Sequence, residues 1–110
     1  MSNQNKSTNN EYDILSILEN KPDYSQREIA AEIGLSLGKT NFIIRALVDK
    51  GFIKFSNFRR SDNKIAYLYL LTPNGIKERS RLAKFFLKRK IQEYEDLEKQ
   101  IAELRKEINQ

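Results

Sequence analysis

The residues best suited to chemistry in this sequence are cationic, amide and hydroxyl side chains that fall in two short stretches. The candidates of the first stretch are Ser36, Lys39, Asn41, Phe42 and Arg45, and those of the second are Arg59, Arg60 and Lys64. Arginine and lysine pair with phosphate oxygens, and arginine and asparagine also match the hydrogen-bonding edges of guanine and adenine. These residue types indicate contacts to nucleic acid. The alternative for each of them is a solvated surface side chain.

The chain lacks the residues on which much protein catalysis and metal binding depend. Its 110 residues include no cysteine and no histidine, which removes thiolate metal sites, the commonest metal ligand and the usual general base. Residues 34–40 resemble a phosphate-binding loop, but only three residues separate Gly34 from Gly38 where that motif has four, and no strand is predicted before them. We therefore expect no enzyme activity, no cofactor and no metal.

Positive charge is concentrated in the middle of the sequence. Residues 1–53 contain six Lys and Arg against seven Asp and Glu, residues 54–90 contain eleven against two, and residues 91–110 contain three against six. A solvated charged surface usually mixes the two signs, so this one-sided middle segment favours an electrostatic footprint for phosphate. No apolar run is long enough for a membrane span or a signal peptide. We expect a cytoplasmic protein.

The first group of candidates lies on the second of two closely spaced predicted helices. Residues Ser25–Glu28 match a capping box, which predicts a helix to about Ile33, and Gly34 suits the left-handed residue that ends it. Ser36 is placed to cap a second helix that ends before Gly51. The apolar stripe of that helix is Thr40, Ile43, Ile44 and Leu47. The short connection is typical of a helix-turn-helix, with the candidates opposite the stripe.

The remaining elements follow from changes in the hydrophobic period. A helix is predicted over Glu11–Asn20, after a polar tail at residues 1–10 that we expect to be disordered. Residues 52–56 and 65–71 have strand composition, so they predict a β-hairpin whose long tip, residues 57–64, carries the second group of candidates. Thr72 and Pro73 then suit the cap and first residue of a helix that meets no strong breaker before the C-terminus.

The end of this last helix has the pattern of a short coiled coil. The expected dimerisation residues are Leu87, Tyr94, Leu97, Ile101, Leu104 and Ile108. Most of them alternate by three and four residues, and Lys90 interrupts the seam. Packing of this stripe on its own domain is the alternative. In a parallel pair Glu93 would face Glu98 of the other copy, whereas antiparallel pairing sets Glu98 against Arg105, which favours the antiparallel arrangement.

Several of these segments resemble the MarR-type winged helix pattern. They are residues 25–30, 33–41 and 46–54, together with the Leu70–Ile76 entry into the last helix. The whole of residues 11–110 resembles the EPS-associated subgroup, whose members accompany exopolysaccharide gene clusters. The resemblance implies a DNA-binding transcription regulator. In ordinary MarR proteins, long helices at both ends form the dimer and often enclose a phenolic ligand, so the polar tail at residues 1–10 leaves the effector unknown.

The resemblance also implies roles for the candidates. Arg45 would read guanine, Asn41 would read adenine or hold a phosphate, and Phe42 would touch a thymine methyl group. Lys39 would meet phosphate and Ser36 would contact DNA. The second group of candidates would reach a minor groove or its rim.

We thus predict a mainly α fold with a small β-hairpin wing. Residues 11–75 would form a winged helix-turn-helix, and residues 76–110 a long helix that joins two copies through a short coiled coil. Such a protein would bind double-stranded DNA as a homodimer. A protein-interaction adaptor and a nonspecific architectural DNA binder remain the alternatives.

Overall fold

The computed structural model describes residues 3–59, 62 and 65–109. Its elements in chain order are α1 (Asn3–Asn20), α2 (Gln26–Ile33), α3 (Leu37–Asp49), β1 (Ile53–Arg59), β2 (Ile65–Leu71) and α4 (Pro73–Asn109). The predicted fold class, helices with one β-hairpin followed by a long helix, is confirmed. The chain divides into two compact units between Ser80 and Arg81, so α4 contributes to both. This boundary lies five residues beyond the one predicted between residues 75 and 76.

The two helices of the predicted helix-turn-helix begin and end at the predicted residues. The Ser25 hydroxyl accepts from the Glu28 amide at 3.2 Å, and the Glu28 carboxylate accepts from the Ser25 amide at 3.1 Å. Gly34 adopts φ 71°, in the left-handed region that an L side chain rarely occupies, and ends α2. The Ser36 hydroxyl accepts from the Lys39 amide at 3.1 Å and begins α3. Each cap satisfies a backbone group that its helix leaves unpaired.

The core of the first unit is formed by one face of each element. From α1 come Ile14, Leu15 and Leu18, from α2 Ile29 and Ala30, from α3 Ile43, Ile44 and Leu47, and from the hairpin Ile53 and Tyr69. All of these side chains are buried, so α1, α2, α3 and the hairpin share a single apolar centre. Burial of an aliphatic side chain of this size contributes about 1.5–3 kcal/mol. This centre fixes the orientation of α3, because the apolar stripe of α3 is buried in it.

The N-terminal helix is longer than the sequence predicted. α1 begins at Asn3, so the disorder predicted for residues 1–10 is wrong for residues 3–10. The side chain of Asn10 is buried. Residues 3–10 carry no apolar stripe to reveal a helix, but a helix that has already formed at Glu11–Asn20 gains one backbone hydrogen bond for each residue added.

The β-hairpin also extends further than expected. Residues of β1 and β2 pair antiparallel, from Ile53 opposite Leu71 to Arg59 opposite Ile65. The predicted long tip at residues 57–64 is therefore shorter, since residues 57–59 belong to β1. Cross-strand pairing stabilises a strand whose own composition is typical of a turn. The rings of Phe55 and Tyr69, which are opposite each other, lie 5.6 Å apart.

The first turn of α4 lies directly against the base of the hairpin. The Gly75 amide donates to the Thr72 hydroxyl at 3.0 Å, which confirms Thr72 as the cap of α4. The Thr72 amide donates to the Phe52 carbonyl at 3.1 Å. Gly75 is buried here, and a Cβ on it would lie 2.0 Å from the Phe52 oxygen. Glycine at this position therefore permits an approach between two backbones that a side chain would prevent.

The second unit, from residue 81 onward, is helical as far as Asn109. At 37 residues, α4 as a whole is about 55 Å long at the usual rise per residue. Among the residues that the structure describes, no helix has both the length and the apolar character required to cross a membrane.

Candidate nucleic-acid interface

Helix α3 has one buried face and one face that is open to solvent. Thr40, Ile43, Ile44 and Leu47 are buried, as predicted, and the Thr40 hydroxyl donates to the Ser36 carbonyl at 2.9 Å. On the other face Lys39 and Arg45 are exposed, and Phe42 is 73% exposed. A large aromatic side chain this open in a folded unit has no role in the core. The exposed face of α3 is therefore a cationic surface with an aromatic ring between its two charges.

The start of α3 adds polar groups to this surface. Ser36 is exposed, and its hydroxyl caps the helix through the Lys39 amide. The positive end of the helix dipole lies at this N-terminus, and the exposed Lys39 adds a positive charge in the first turn. Both the helix dipole and the charge of Lys39 would stabilise an anion near the first turn of α3. The predicted contact of Ser36 with DNA stays a prediction, because capping alone accounts for the bond that its hydroxyl makes.

Asn41 is bound to residues that the sequence did not associate with it. Its Nδ2 donates to Gln26 Oε1 at 3.2 Å, and Gln26 Nε2 donates to the Tyr69 hydroxyl at 3.0 Å. Asn41 and Gln26 are half-buried, and Tyr69 is buried. These two bonds connect α3, α2 and β2 through side chains alone. We call Asn41, Gln26 and Tyr69 the amide relay.

A groove of about 280 Å³ separates α3 from the hairpin. The three residues of the amide relay line it together with Arg45 and Phe55. The groove therefore connects one predicted base-reading residue, Arg45, with the partners of another, Asn41. Sequence analysis missed Gln26 and Tyr69 because nothing in their own spacing relates them to α3.

The structure describes only part of the predicted wing surface. Arg59 is the last residue of β1, and its backbone pairs with that of Ile65. Arg60 and Lys64 lie outside the described residues. The hairpin places the backbone of Arg59 at the end farthest from the core. The DNA contacts predicted for Arg59, Arg60 and Lys64 stay predictions.

Another cavity, of about 580 Å³, lies beside α1, α2 and the start of α4. Three of the charged side chains in its wall, Lys21, Glu32 and Arg79, form ion pairs. Arg79 binds Glu19 at 3.0 Å and the Ser16 hydroxyl at 3.1 Å, and Lys21 binds Glu32 at 2.8 Å. Partial desolvation raises the pKa of the Asp13 carboxyl above its ordinary value. Within the described ranges, no group of three or more acidic side chains is arranged to hold a metal ion.

In the second unit, the predicted coiled-coil residues are all exposed. Leu87, Tyr94, Leu97, Ile101, Leu104 and Ile108 are between 41% and 82% exposed. Ile91 is also 49% exposed, and it lies four residues after Leu87 and three before Tyr94. It extends the apolar stripe past Lys90, which pairs with Glu93 at 3.2 Å. We call these six residues and Ile91 the apolar seam. The sequence analysis missed Ile91 because strict heptad spacing selects Lys90.

Comparison with known proteins identifies the class of this fold. Residues 8–54 match the model of a family described as winged helix-turn-helix DNA-binding. A comparison with curated proteins gave no match. The match covers α2, α3 and most of α1, the elements that carry and support the exposed face of α3. Together with the hairpin that follows α3, this match shows a winged helix-turn-helix fold.

Solved structures specify the kind of winged helix. A MarR/EmrR family transcriptional regulator from Acinetobacter sp. ADP1 is 24% identical, with 91% of this chain and 75% of that chain covered and a TM-score of 0.59. MepR, a transcription regulator of the Staphylococcus aureus multidrug efflux pump MepA, is 19% identical, with 92% and 77% covered and a TM-score of 0.61. Streptococcus pneumoniae FabT in complex with DNA is 21% identical, with 83% and 59% covered and a TM-score of 0.53. The chain has the fold of the MarR-type regulators, as its sequence predicted.

Proposed function

We propose that this protein is a transcription regulator that binds specific sequences of double-stranded DNA as a homodimer. The observation that carries the proposal is the division of α3 into a buried apolar face and an exposed face with Lys39, Phe42 and Arg45. A helix presented in this way fits the major groove, which admits one α-helix and offers a distinct pattern for each base pair. The DNA complex of FabT, which has a similar fold, supports DNA as the ligand.

The exposed side chains of α3 would each have a different role in DNA binding. Arg45 has the planar fork of donors that matches guanine O6 and N7, and Phe42 offers an apolar surface to a thymine methyl group. Lys39 and Ser36 lie at the start of α3, where phosphate is favoured. Arg59, with Arg60 and Lys64 beyond it, would carry positive charge from the hairpin to the minor groove.

The apolar seam supports dimerisation through α4. Seven apolar side chains on one helix stripe remain exposed, which is costly unless a partner covers them. Charge supports an antiparallel second copy as that partner. Residues 81–90 contain five Lys and Arg and no acidic residue, whereas residues 91–110 contain six acidic residues against three basic ones. In an antiparallel pair the two basic segments lie at opposite ends of the coiled coil, whereas in a parallel pair they lie side by side.

The association with exopolysaccharide gene clusters and the cytoplasmic location belong to this proposal as well. The association with these gene clusters depends on the sequence resemblance, and the cytoplasmic location fits a protein that binds DNA. The effector that would release the protein from DNA stays unassigned.

Selection of bound sequences from a random duplex pool, at one fixed salt concentration, tests the proposal. We expect an inverted repeat with half-sites about one helical turn apart, enriched roughly 10³-fold or more over random DNA. Binding without sequence preference and with steep salt dependence would indicate an architectural protein instead. Recovery of no sequence would favour an adaptor.

A matched variant tests the dimer separately. Replacing Leu97 and Ile101 by Asp puts charge in the centre of the apolar seam, so sedimentation should show a monomer that selects a single half-site. Replacing Lys99 and Lys106 by Gln changes the net charge by the same amount outside the seam and should leave a dimer. A monomeric parent protein would contradict the dimer.

A further inference from the structure

We propose that the amide relay of Tyr69, Gln26 and Asn41 determines base specificity by holding the Asn41 side chain in one position. This inference rests on the proposed function, since it assigns Asn41 to base reading. Gln26 and Tyr69 are positioning residues in this account. They touch no base and act through Asn41.

Two consecutive hydrogen bonds hold the Asn41 side chain. Gln26 Nε2 donates to the Tyr69 hydroxyl, which leaves Gln26 Oε1 as the acceptor for Asn41 Nδ2. Tyr69 is buried, so the phenol oxygen at the end of the relay is itself held by packing. The relay therefore holds the Asn41 side chain in one position.

The bond to Gln26 leaves Asn41 with the groups that adenine requires. A carboxamide has one acceptor oxygen and two N–H donors. With one N–H bound to Gln26, Asn41 keeps its oxygen and a second N–H. Adenine presents an N6 donor and an N7 acceptor in the major groove, which this remaining pair matches. Asn41 lies on the same helix as the exposed Arg45, one turn away, and both line the groove between α3 and the hairpin.

The relay also connects the hairpin to α3 through α2. Tyr69 belongs to β2, Gln26 to the first turn of α2 and Asn41 to α3. A side chain that is already immobilised loses less entropy when it binds, so pre-orientation of Asn41 is worth roughly a twofold to tenfold preference for the correct base. Tyr69→Phe removes only the hydroxyl, and Gln26→Met removes both hydrogen bonds with little change in side-chain length.

The experiment measures the Kd of the full-length protein for its selected duplex and for every single-base variant of that duplex. Asn41→Ala should abolish preference at one position of each half-site. Gln26→Met and Tyr69→Phe should weaken preference at the same position by roughly twofold to tenfold and leave the other positions unchanged. Gln26→Glu can accept from both Asn41 and Tyr69, so it should restore that preference while lowering affinity for all sequences equally through its charge.

Two further measurements distinguish positioning from general stability. In an Asn41→Ala background, Gln26→Met should have no further effect on preference. In the free protein, Tyr69→Phe should shift the side-chain amide resonances of Gln26 and Asn41. Full preference at the Asn41 position in Gln26→Met, an equal loss at all positions, or unshifted resonances would each overturn the proposal. A parent protein that selects no sequence would refute the proposed function, and the reading role of the relay with it, whatever the resonances show.

Discussion

Replacing Gly75 by Ala should destabilise the protein, although the same change inside a helix normally stabilises it. A Cβ on Gly75 would lie 2.0 Å from the Phe52 carbonyl oxygen and 2.9 Å from its carbon, both backbone atoms. A tolerable contact requires at least 3.0 Å, so the two segments must separate by about 1 Å. That movement weakens the 3.1 Å bond from the Thr72 amide to the same oxygen. It therefore loosens the hairpin from the start of α4.

The magnitude follows from three contributions. Overpacking costs about 1–3 kcal/mol, and the weakened hydrogen bond costs about 1 kcal/mol. The higher helix propensity of alanine stabilises the folded state by about 1 kcal/mol. The net loss is about 2 kcal/mol, which corresponds to a decrease in Tm of about 8–16 °C for a domain of this size.

Thermal unfolding followed by circular dichroism measures this change. Gly38→Ala is the matched control, because no atom lies within 4 Å of the position of its Cβ. This control should be neutral or raise the free energy of unfolding by up to about 1 kcal/mol. An unchanged or higher Tm for Gly75→Ala would refute the close approach of Gly75 to Phe52.

Three other changes test the interface and its support. Arg45→Ala should relax preference at one base position, at a cost of about 1–3 kcal/mol in binding free energy. Lys39→Ala or Arg59→Ala should instead weaken binding to all sequences. Kd values measured over a range of salt concentrations should then show that the slope of log Kd against log salt concentration falls by about 1. Ser36→Ala should lower the free energy of unfolding by about 1 kcal/mol through loss of the α3 cap, and Ser36→Asp should keep that stability but weaken DNA binding, since aspartate also caps; equal DNA affinity in Ser36→Asp and the parent would exclude a phosphate near α3. Because desolvation raises the pKa of Asp13, the folded state binds its proton more tightly than the unfolded state and loses stability as pH rises through that pKa. Asp13→Asn should therefore raise Tm at pH 7, with a gain that shrinks as the pH falls towards 4; a gain that does not change with pH would contradict the cause.

The sequence was most informative where a hydrogen bond closes within four residues. The Ser25 capping box, the Ser36 cap, the Gly34 helix end and the Thr72 cap were each predicted and confirmed. These contacts depend on residue type and spacing alone. The α3 stripe was predicted for the same reason, since helical periodicity determines which side chains share a face.

Features that depend on distant residues were not predictable in this way. The amide relay joins Gln26 to Asn41 across 15 residues and to Tyr69 across 43, so only the packed first unit brings the three together. Gly75 contacts a backbone that precedes it by a whole hairpin. The early start of α1 and the late end of β1 were missed because neighbouring elements stabilise residues whose own composition favours coil or turn.

Hydroxyl-radical footprinting on the selected duplex tests most directly whether paired α3 helices read neighbouring major grooves. The account predicts two protected segments on one face of the DNA, with centres about 10–10.5 base pairs apart or a multiple of that spacing. The Leu97→Asp, Ile101→Asp double variant should protect only one segment. A single protected segment with the parent protein, or protection without a defined position, would contradict the account.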